Sequence, residues 1–430
     1  MVQTERIEIM DEMLAVIMAG GKGRRMNILC DSRPKPILPF GGKYRVIDFC
    51  LSNCINSQIR EIMVLADYRS SDLRNYLNLW RSSQIRGCDM VHILEPKNNN
   101  YLGTADALYQ NLDLIHESKA SDILILAADH IYQMDYREML SFHKQKQADV
   151  TVAVTPVPFV EAYRFGIVTL NDNEAITKFS EKPLIPMNTL ASMGLYIFNK
   201  KILLDVLTSD AADIRSQHDF GKTILPKLVN NSKAFAFKFN KYWRDIGTIR
   251  SYYDANREFI EREVSFTADK SWPILNSNEY HLPSGEFCTS NTINHSVISP
   301  GCVIKGCVYN SVISPGVWIE EKAIVRNSVI MPNTFIGYHS VVDNAIIDED
   351  VVIDKFCYIG FKGTDVHHDT PVTILGTGIN VPRYTAIISG SELPPNSKLR
   401  KSNANVIIGL EESYLHNNMI MDHLHTRDRK

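Results

Sequence analysis

The sequence lacks a strong net charge, long apolar runs and closely paired cysteines. Its 46 basic and 49 acidic residues give a formal net charge of −3, so no overall field collects nucleic acid or an acidic membrane surface. No apolar run approaches the ~20 residues needed to span a bilayer, and the first dozen residues are charged rather than apolar. We therefore expect no nucleic-acid partner, no membrane partner and no secretory signal.

Cysteine usage leads to a prediction about the cellular compartment. The eight cysteines are spread between Cys30 and Cys357 with no CxxC pair, which is typical of proteins whose thiols stay reduced. Since no signal segment begins the chain, this distribution predicts a cytoplasmic protein whose cysteines are structural and unpaired.

The N-terminal half has the periodicity of an α/β fold. A chain of 430 residues, 44% of them apolar, is long enough for about two to three domains. From Leu14 to about Phe239, short apolar runs alternate with helix-length segments, the pattern of βαβ units in a Rossmann-like, mainly parallel sheet. A helix is predicted over Thr104–Ile115 from its apolar spacing. The predicted strands are Leu14–Met18, Ile62–Ala66, Met90–Leu94, Ile123–Ala127 and Val150–Pro156.

The C-terminal half has a shorter repeat. Beyond about Ser296, isoleucine or valine recurs every five or six residues, and segments of seventeen residues begin at Asn310, Asn327 and Asn344. This hexapeptide periodicity predicts a parallel β-helix, in which each coil stacks its aliphatic residues on the next. The residues expected to point inward are Ile313, Ile319, Val325, Ile330, Ile336, Val342, Ile347, Ile353 and Ile359.

A glycine-rich turn with three cations follows the first predicted strand, in the segment AGGKGRRM at 19–26. Glycines let the backbone approach phosphate oxygens and the cations neutralise their charge, which suits a triphosphate. The alternatives are a tight turn without a ligand or a dinucleotide fold, although Met26 stands where the latter needs its third glycine. No Gly-Lys-Ser/Thr ends the segment, so it is not a Walker loop.

A further cation, Lys35, lies just downstream in RPKPILPF at 33–40. With this motif the sequence resembles the sugar nucleotidyltransferase family, whose opening pattern is GGxGxRL followed by KP. Through YRVIDF at 44–49 it is similar to the ADP-glucose pyrophosphorylases within that family. Further matching motifs are YLGTADA at 101–107, LAADHIY at 126–132, FG at 165–166, EKP at 181–183, SMG at 192–194, HDFGK at 218–222 and YWRDIGT at 242–248.

The resemblance implies a reaction and a cofactor. The adenylyl group of ATP would pass to glucose 1-phosphate, giving ADP-glucose and pyrophosphate in the first committed step of bacterial glycogen synthesis. Because both reactants are anionic, catalysis is expected to rest on positioning and charge neutralisation. Mg²⁺ is the implied cofactor, held by Asp129 and Asp245. Arg25 and Lys35 would act with them as catalytic residues by stabilising charge on the transferring and leaving phosphates.

The remaining site residues are also implied by the resemblance. The nucleotide-binding set is Gly20, Gly21, Gly23, Arg25 and Gly103. The sugar-phosphate-binding set is Tyr101, Gly166, Glu181, Lys182 and Ser192, with Lys182 on the phosphate and Glu181 on the sugar hydroxyls. For Asp219, Trp243 and Arg244, structural and functional roles stay open.

The same resemblance gives the domain plan and the assembly. It implies a nucleotidyltransferase catalytic domain over 1–262, an ordered linker over 263–290, a left-handed β-helix domain over 291–413 and a polar C-terminal tail over 414–430. Related enzymes assemble as homotetramers, and a homotetramer is expected here.

Three alternative functions are weighed against this interpretation. A nucleotidyltransferase for UTP or dTTP is compatible, because phosphate-binding residues do not read the base. A non-catalytic regulatory subunit is disfavoured, because such a chain has no physical reason to keep five costly charges in one cleft. Hexapeptide β-helices also build acyltransferases with a histidine base, but turn histidines such as His339, His367 and His368 are more often surface residues.

Regulation is where the sequence departs from the enterobacterial members of the family. Ser32 occupies the place of their activator-site lysine, Pro39 that of a histidine and Glu117 that of an arginine, and only Arg45 of the set is kept as a possible residual effector site. Because sugar bisphosphates and AMP bind through cations, we expect a weak response to them or a response to other effectors.

Overall fold

The computed structural model describes residues 13–82, 91–98, 100–277, 285–287, 293–361, 371–399 and 406–408. His367, His368 and the predicted tail over 414–430 lie outside these residues. None of the helices in the described ranges is long and apolar enough to cross a membrane.

The chain forms two compact units whose segments alternate along the sequence. The first unit takes its described residues from 1–22, 46–245 and 269–277, and the second from 23–45, 246–268 and 278–430. Residues 23–45 and 246–268 therefore group with the β-helix. The domain bounds deduced from the sequence stay a prediction.

The first unit is built on a nine-stranded sheet, counted over the described residues. Its strands are β1 (Met13–Met18), β2 (Glu61–Leu65), β3 (Val91–Leu94), β4 (Asp122–Ala127), β5 (Val150–Pro156), β6 (Gly166–Leu170), β7 (Ile176–Glu181), β8 (Leu190–Asn199) and β9 (Ala234–Lys238). The order is β7-β6-β8-β4-β1-β2-β3, and β5 pairs with both β8 and β9. All five predicted strands are present, each within one residue of its predicted bounds.

The strand directions divide the sheet into two parts. β4, β1, β2 and β3 run parallel, as the βαβ pattern predicts, whereas β8 pairs antiparallel with β4, β5 and β6. β1, β2 and β4 are buried along most of their length, as expected when helices cover both faces. The carboxyl ends of β1 and β4 meet at one edge, where ligands of such sheets bind.

The helices of this unit connect its strands. They are α1 (Val46–Asn56), α2 (Ser70–Ser82), α3 (Thr104–Tyr109), α4 (Leu112–Glu117), α5 (Tyr136–Gln145), α6 (Phe159–Ala162), α7 (Lys200–Ala212), a π-helical turn over Phe220–Ile224 and α8 (Leu225–Val229).

The single helix predicted over Thr104–Ile115 is in fact two helices, α3 and α4. The side-chain amide of Asn111 donates to the Ala107 carbonyl at 2.9 Å, and that of Gln110 donates to Asp106 at 2.7 Å. Such polar side chains compete with backbone hydrogen bonding. The apolar spacing alone did not predict the break at this point.

The second unit contains three parallel sheets that form a β-helix. The first has strands Glu286–Phe287, Val303–Ile304, Trp318–Ile319, Phe335–Ile336, Val352–Ile353 and Asn380–Val381. The second has Ile293–Asn294, Cys307–Tyr309, Ile324–Arg326, Val341–Asp343, Tyr358–Phe361, Thr385–Ile388 and Val406–Ile408. The third has Val297–Ile298, Val312–Ile313, Val329–Ile330, Ala345–Ile347, Thr373–Leu375 and Glu392–Leu393. The predicted fold class, an α/β domain followed by a left-handed parallel β-helix, is confirmed.

The interior of the β-helix is the predicted aliphatic stack. All nine residues expected to point inward, from Ile313 to Ile359, have no exposed surface. Asn310, Asn327 and Asn344 begin the repeats in the left-handed conformation that asparagine tolerates. The side-chain amide of Asn310 donates to Asn327 at 2.7 Å, so the turns are linked from coil to coil.

The N-terminal part of the second unit packs on this β-helix. It contains two 3₁₀ helices, Arg24–Cys30 and Lys35–Ile37, and the antiparallel strands Pro39–Phe40 and Tyr44–Arg45. The long helix α9 (Ile249–Ala268) contacts both parts. Within it, the Tyr252 hydroxyl donates to the Pro39 carbonyl and the Tyr253 hydroxyl to Asn344.

Candidate functional site

Two predicted metal ligands meet in the first unit. Asp129 lies just beyond the carboxyl end of β4, and a short strand, His130–Tyr132, follows it. That strand pairs antiparallel with Trp243–Asp245, in a register that places Asp245 opposite His130. Residues distant in the sequence thus come together at the edge of the sheet where β1 and β4 end.

His130 stands beside both carboxylates. Its Nε2 is 3.3 Å from Oδ1 of Asp129 and 3.8 Å from Oδ1 of Asp245, and one ligand atom from each of the three residues lies within 4.8 Å of the other two. The side chains are 32% exposed for Asp129 and 13% exposed for Asp245. Two carboxylate oxygens and an imidazole nitrogen form a donor set that fits a divalent cation.

Trp243 and Gly194 lie beside the imidazole ring of His130. Its ring meets Trp243 edge to face, with centroids 5.1 Å apart, and a Cβ on Gly194 would lie 3.3 Å from its Cε1. Nδ1 of His130 is buried and has no hydrogen-bond partner among the described residues. An unsatisfied buried polar atom is destabilising by about 1–3 kcal/mol.

Asp245 has a cationic neighbour that the sequence interpretation missed. Nη2 of Arg164 lies 3.3 Å from Oδ2 of Asp245, and its Nη1 lies 3.4 Å from Glu161. Nη1 of Arg244 is 3.6 Å from the other oxygen of Glu161. The structure thus gives Arg244 a structural contact, while the guanidinium of Arg164 faces a predicted metal ligand. Its position just before the FG motif was the one available signal.

Of the predicted sugar-side residues, Glu181 is the last residue of β7 and Lys182 follows it. Oε1 of Glu181 is 3.1 Å from Nζ of Lys182, whose side chain is half exposed. A Cβ added to Gly166 would lie 2.9 Å from Oε2 of Glu181, and one added to Gly221 would lie 2.4 Å from it. An alanine at either position would therefore overlap the Glu181 carboxylate where it now lies.

Two further predicted sugar-side residues, Ser192 and Tyr101, are held by local hydrogen bonds. Ser192 is buried in β8 and its hydroxyl accepts from the backbone N–H of Gly194 at 3.2 Å. Tyr101 is half-buried and accepts from Asn111 at 3.2 Å. Burial raises the pKa of the Tyr101 phenol, so it acts as a neutral hydroxyl.

The predicted nucleotide-binding glycines have different surroundings. Gly20 and Gly21 are exposed, and Gly21 has a φ of 133° that disfavours other residues. Gly103 packs against the backbone of His218, since a Cβ there would lie 2.3 Å from the His218 carbonyl oxygen. The close backbone contact alone accounts for glycine at position 103.

The predicted phosphate-binding residues Gly23, Arg25 and Lys35 belong to the second unit. Gly23 has a φ of 56°, and a Cβ there would lie 2.9 Å from Sγ of Cys30. Arg25 is exposed in the first 3₁₀ helix, whereas Lys35 is buried. The structure therefore places an exposed cation and a buried cation on the segment that packs on the β-helix.

Arg45, the predicted residual effector residue, is already paired. Its Nη1 donates to Oε1 of Glu349 at 2.7 Å and to the Ile37 carbonyl at 3.0 Å. His339, considered above as an acyltransferase base, lies in a left-handed turn and stacks on Phe356 with centroids 5.6 Å apart. That packing is typical of a structural turn residue.

Comparison with known proteins matches the N-terminal and C-terminal parts of the chain to two families. Residues 14–262 match the family model described as nucleotidyl transferase, and residues 284–381 match the one described as GlmU-like, C-terminal hexapeptide. The chain is 40% identical over 394 residues to the glucose-1-phosphate adenylyltransferase of Desulfitobacterium hafniense (strain DSM 10664 / DCB-2), covering 89% of this chain and 98% of that protein.

Two other relatives are glucose-1-phosphate adenylyltransferases as well. The glucose-1-phosphate adenylyltransferase of Clostridium acetobutylicum is 43% identical over 322 residues, covering 73% of this chain and 84% of that protein. The one of Bacillus mycoides (strain KBAB4) is 42% identical over 322 residues, covering 73% of this chain and 85% of that protein.

Proposed function

Because the chain belongs to the nucleotidyl transferase family, and within it to the glucose-1-phosphate adenylyltransferases, we propose that it transfers the adenylyl group of ATP to α-D-glucose 1-phosphate. The products are ADP-glucose and pyrophosphate, and the reaction is the first committed step of bacterial glycogen synthesis. The main support for the proposal is that Asp129 and Asp245 lie close together at the edge of the sheet.

The reaction is a displacement at the α-phosphorus of ATP. A phosphate oxygen of glucose 1-phosphate forms the new bond to phosphorus, and the bond from that phosphorus to the bridging oxygen of the leaving pyrophosphate breaks. A divalent cation, which we propose is Mg²⁺, neutralises the nucleotide phosphates when bound. Asp129 and Asp245 hold it, since hard cations prefer carboxylate oxygen.

The other side chains bind and orient the anionic reactants. Lys182 is half exposed beside Glu181, and we assign it the phosphate of the sugar while Glu181 accepts hydrogen bonds from sugar hydroxyls. Arg25 and Lys35 offset the charge that develops on the leaving pyrophosphate. Holding both reactants in line makes the reaction effectively unimolecular.

Pyrophosphate release from four nucleotides tests this function. The protein is incubated with glucose 1-phosphate, Mg²⁺ and each of ATP, UTP, dTTP and GTP. Release with ATP alone supports the proposal. Preference for UTP or dTTP would keep the mechanism and change the product, and no release with any nucleotide would favour a non-catalytic regulatory subunit.

The space that Gly221 leaves beside the Glu181 carboxylate leads to a prediction for the sugar side. Gly221→Ala is expected to lower kcat/KM for glucose 1-phosphate by about 10² or less, because a displacement of roughly 1 Å at a positioning group has effects of that size. The KM for ATP should change much less. Steady-state kinetics with each substrate varied in turn measures both values.

A shorter carboxylate provides the control for that variant. Glu181→Asp combined with Gly221→Ala relieves the overlap with the added methyl, so the pair should lose less than the sum of the two single changes. Equal losses of kcat/KM for ATP and for glucose 1-phosphate in Gly221→Ala would contradict the assignment of Glu181 to the sugar.

We also propose that anionic effectors control this enzyme weakly. Arg45 is bonded to Glu349, and Ser32 and Glu117 stand where cations would be needed. Titrating activity with fructose 1,6-bisphosphate and with AMP should change it less than about 5-fold, the lower limit of ordinary allosteric coupling. Strong sensitivity to both compounds would overturn this proposal.

Assembly as a homotetramer is proposed as well, on the basis of the family and the β-helix. Light scattering coupled to size-exclusion chromatography gives the mass directly. A mass of four chains would support the proposal, and a mass of one or two chains would contradict it.

A further inference from the structure

The contacts of the two ring nitrogens of His130 differ from those of a histidine that only packs in a core. Its side chain is 10% exposed, Nε2 faces the oxygens of Asp129 and Asp245, and Nδ1 has no hydrogen-bond partner in the described part of the chain. Nearly all buried polar groups in native proteins are partnered, so an exception of this kind calls for an explanation.

The two neutral tautomers of His130 differ in which ring nitrogen carries a free electron pair. Nδ1 has no hydrogen-bond partner among the described residues in either tautomer. With the proton on Nε2, the N–H faces Oδ1 of Asp129 at an Nε2–Oδ1 distance of 3.3 Å. With the proton on Nδ1, the lone pair of Nε2 points into the space beside the two carboxylates. Only the second arrangement places three electron-pair donors around one point, and a cation there stabilises it.

The distances suit direct coordination. Ligands at about 2.1 Å in an octahedral shell lie roughly 3 Å apart when adjacent. Nε2 of His130 is 3.3 Å from one carboxylate oxygen and 3.8 Å from the other. Small side-chain movements would therefore bring all three residues to coordination distance.

The ring is also held in place for this role. Trp243 meets it edge to face, and the missing side chain of Gly194 leaves room beside Cε1. The strand pairing of His130 with Asp245 fixes the backbone on both sides. A ligand whose orientation is fixed before binding loses little freedom when the ion arrives.

We propose that Nε2 of His130 is the third protein ligand of the divalent cation held by Asp129 and Asp245. The inference deepens the proposed function, since it concerns the same metal site. Magnesium prefers oxygen, whereas manganese and cobalt also accept imidazole. His130 therefore shifts the site toward Mn²⁺ and Co²⁺, and its loss weakens binding of those ions more than binding of Mg²⁺.

Manganese bound to the full-length protein tests this proposal without any turnover. Mn²⁺ is titrated by electron paramagnetic resonance in the absence of nucleotide and sugar phosphate, and pulsed measurements detect the ¹⁴N coupling of a coordinated imidazole. The wild-type protein should show that coupling. His130→Gln should lose it and bind Mn²⁺ at least about 10-fold more weakly, whereas the control His116→Gln, which removes an exposed histidine, should keep both.

Several results would overturn the proposal. They are a wild-type spectrum without ¹⁴N coupling, unchanged Mn²⁺ affinity in His130→Gln, and no Mn²⁺ binding at millimolar concentration, since three fixed ligands should hold the ion alone. The proposed function is tested separately, by pyrophosphate release. An active enzyme without the coupling would leave His130 as a structural neighbour, and an inactive protein with the coupling would retain the metal site.

Discussion

Asp129→Asn and Asp245→Asn are each expected to lower kcat for pyrophosphate release by about 10³-fold. Asparagine keeps the size of the side chain and one neutral oxygen, but it removes the negative charge that a hard cation requires. The two carboxylates stand together with His130 within 4.8 Å. Loss of one of them removes both charge and a ligand, and the remaining donors hold the cation less firmly and less precisely placed.

The kinetic signature distinguishes a metal ligand from a structural carboxylate. If metal affinity is the cause, raising the Mg²⁺ concentration should restore part of the activity in either variant. Asp113→Asn is the matched control, because Asp113 is 82% exposed and forms an exposed ion pair with Lys97; the activity of this variant should change less than about 2-fold. Activity within 10-fold of wild type in both site variants would contradict the assignment of Asp129 and Asp245.

Arg164 adds a consequence for Asp245. Its guanidinium lies 3.3 Å from Oδ2 of Asp245, so a bound metal ion competes with an internal cation for that carboxylate. Arg164→Gln should therefore lower the Mg²⁺ concentration needed for half-maximal activity. Steady-state titration with Mg²⁺ measures this value.

The β-helix was predictable because its repeat defines which residues face inward. A strict period places one aliphatic residue per strand on the same face, and the residues from Ile313 to Ile359 are buried as that period requires. In the α/β part, the parallel strands were predictable for a similar reason. The antiparallel pairing of Leu190–Asn199 with three neighbouring strands was not predictable, because the periodicity of a strand does not show its direction.

Motifs in the sequence proposed the residues of the candidate site, but not how they are arranged. Asp129 and Asp245 were assigned from motifs, whereas their contacts with His130 and Arg164 depend on two strands of three residues each, which are too short to show a period. Likewise, nothing in the spacing reveals that Arg33 and Asp348, which are 315 residues apart, form an ion pair. Contacts of that kind come from packing.

Arg33→Met is expected to destabilise the second unit by about 3–5 kcal/mol, because it removes the partner of two carboxylates that have little access to water. Nη1 of Arg33 is 2.7 Å from Asp348 and Nη2 is 2.9 Å from Glu349, and Arg33 itself is 5% exposed. Arg45 contacts Glu349 as well. The variant therefore removes the guanidinium that faces the carboxylate of Asp348, whose side chain has no exposed surface.

The pKa values of the two carboxylates are shifted in opposite directions overall. Burial raises the pKa of Asp348, and the attraction of Arg33 offsets only part of that rise. Burial also raises the pKa of Glu349, but Arg45 and Arg33 together outweigh it and the pKa is lowered overall. The difference follows from the number of arginines each carboxylate contacts, so loss of Arg33 should be felt more strongly at Asp348.

Thermal unfolding of the full chain, followed by circular dichroism, measures the effect of Arg33→Met as a fall in Tm of roughly 6–20 °C. Arg250→Met breaks an exposed i,i+4 pair with Asp254 in the same unit and should lower Tm by about 2 °C or less. Because replacing both members of a buried ion pair avoids an uncompensated charge, Arg33→Met combined with Asp348→Leu should recover part of the loss. Destabilisation equal to the sum of the two single changes would show that the pair does not act as a unit.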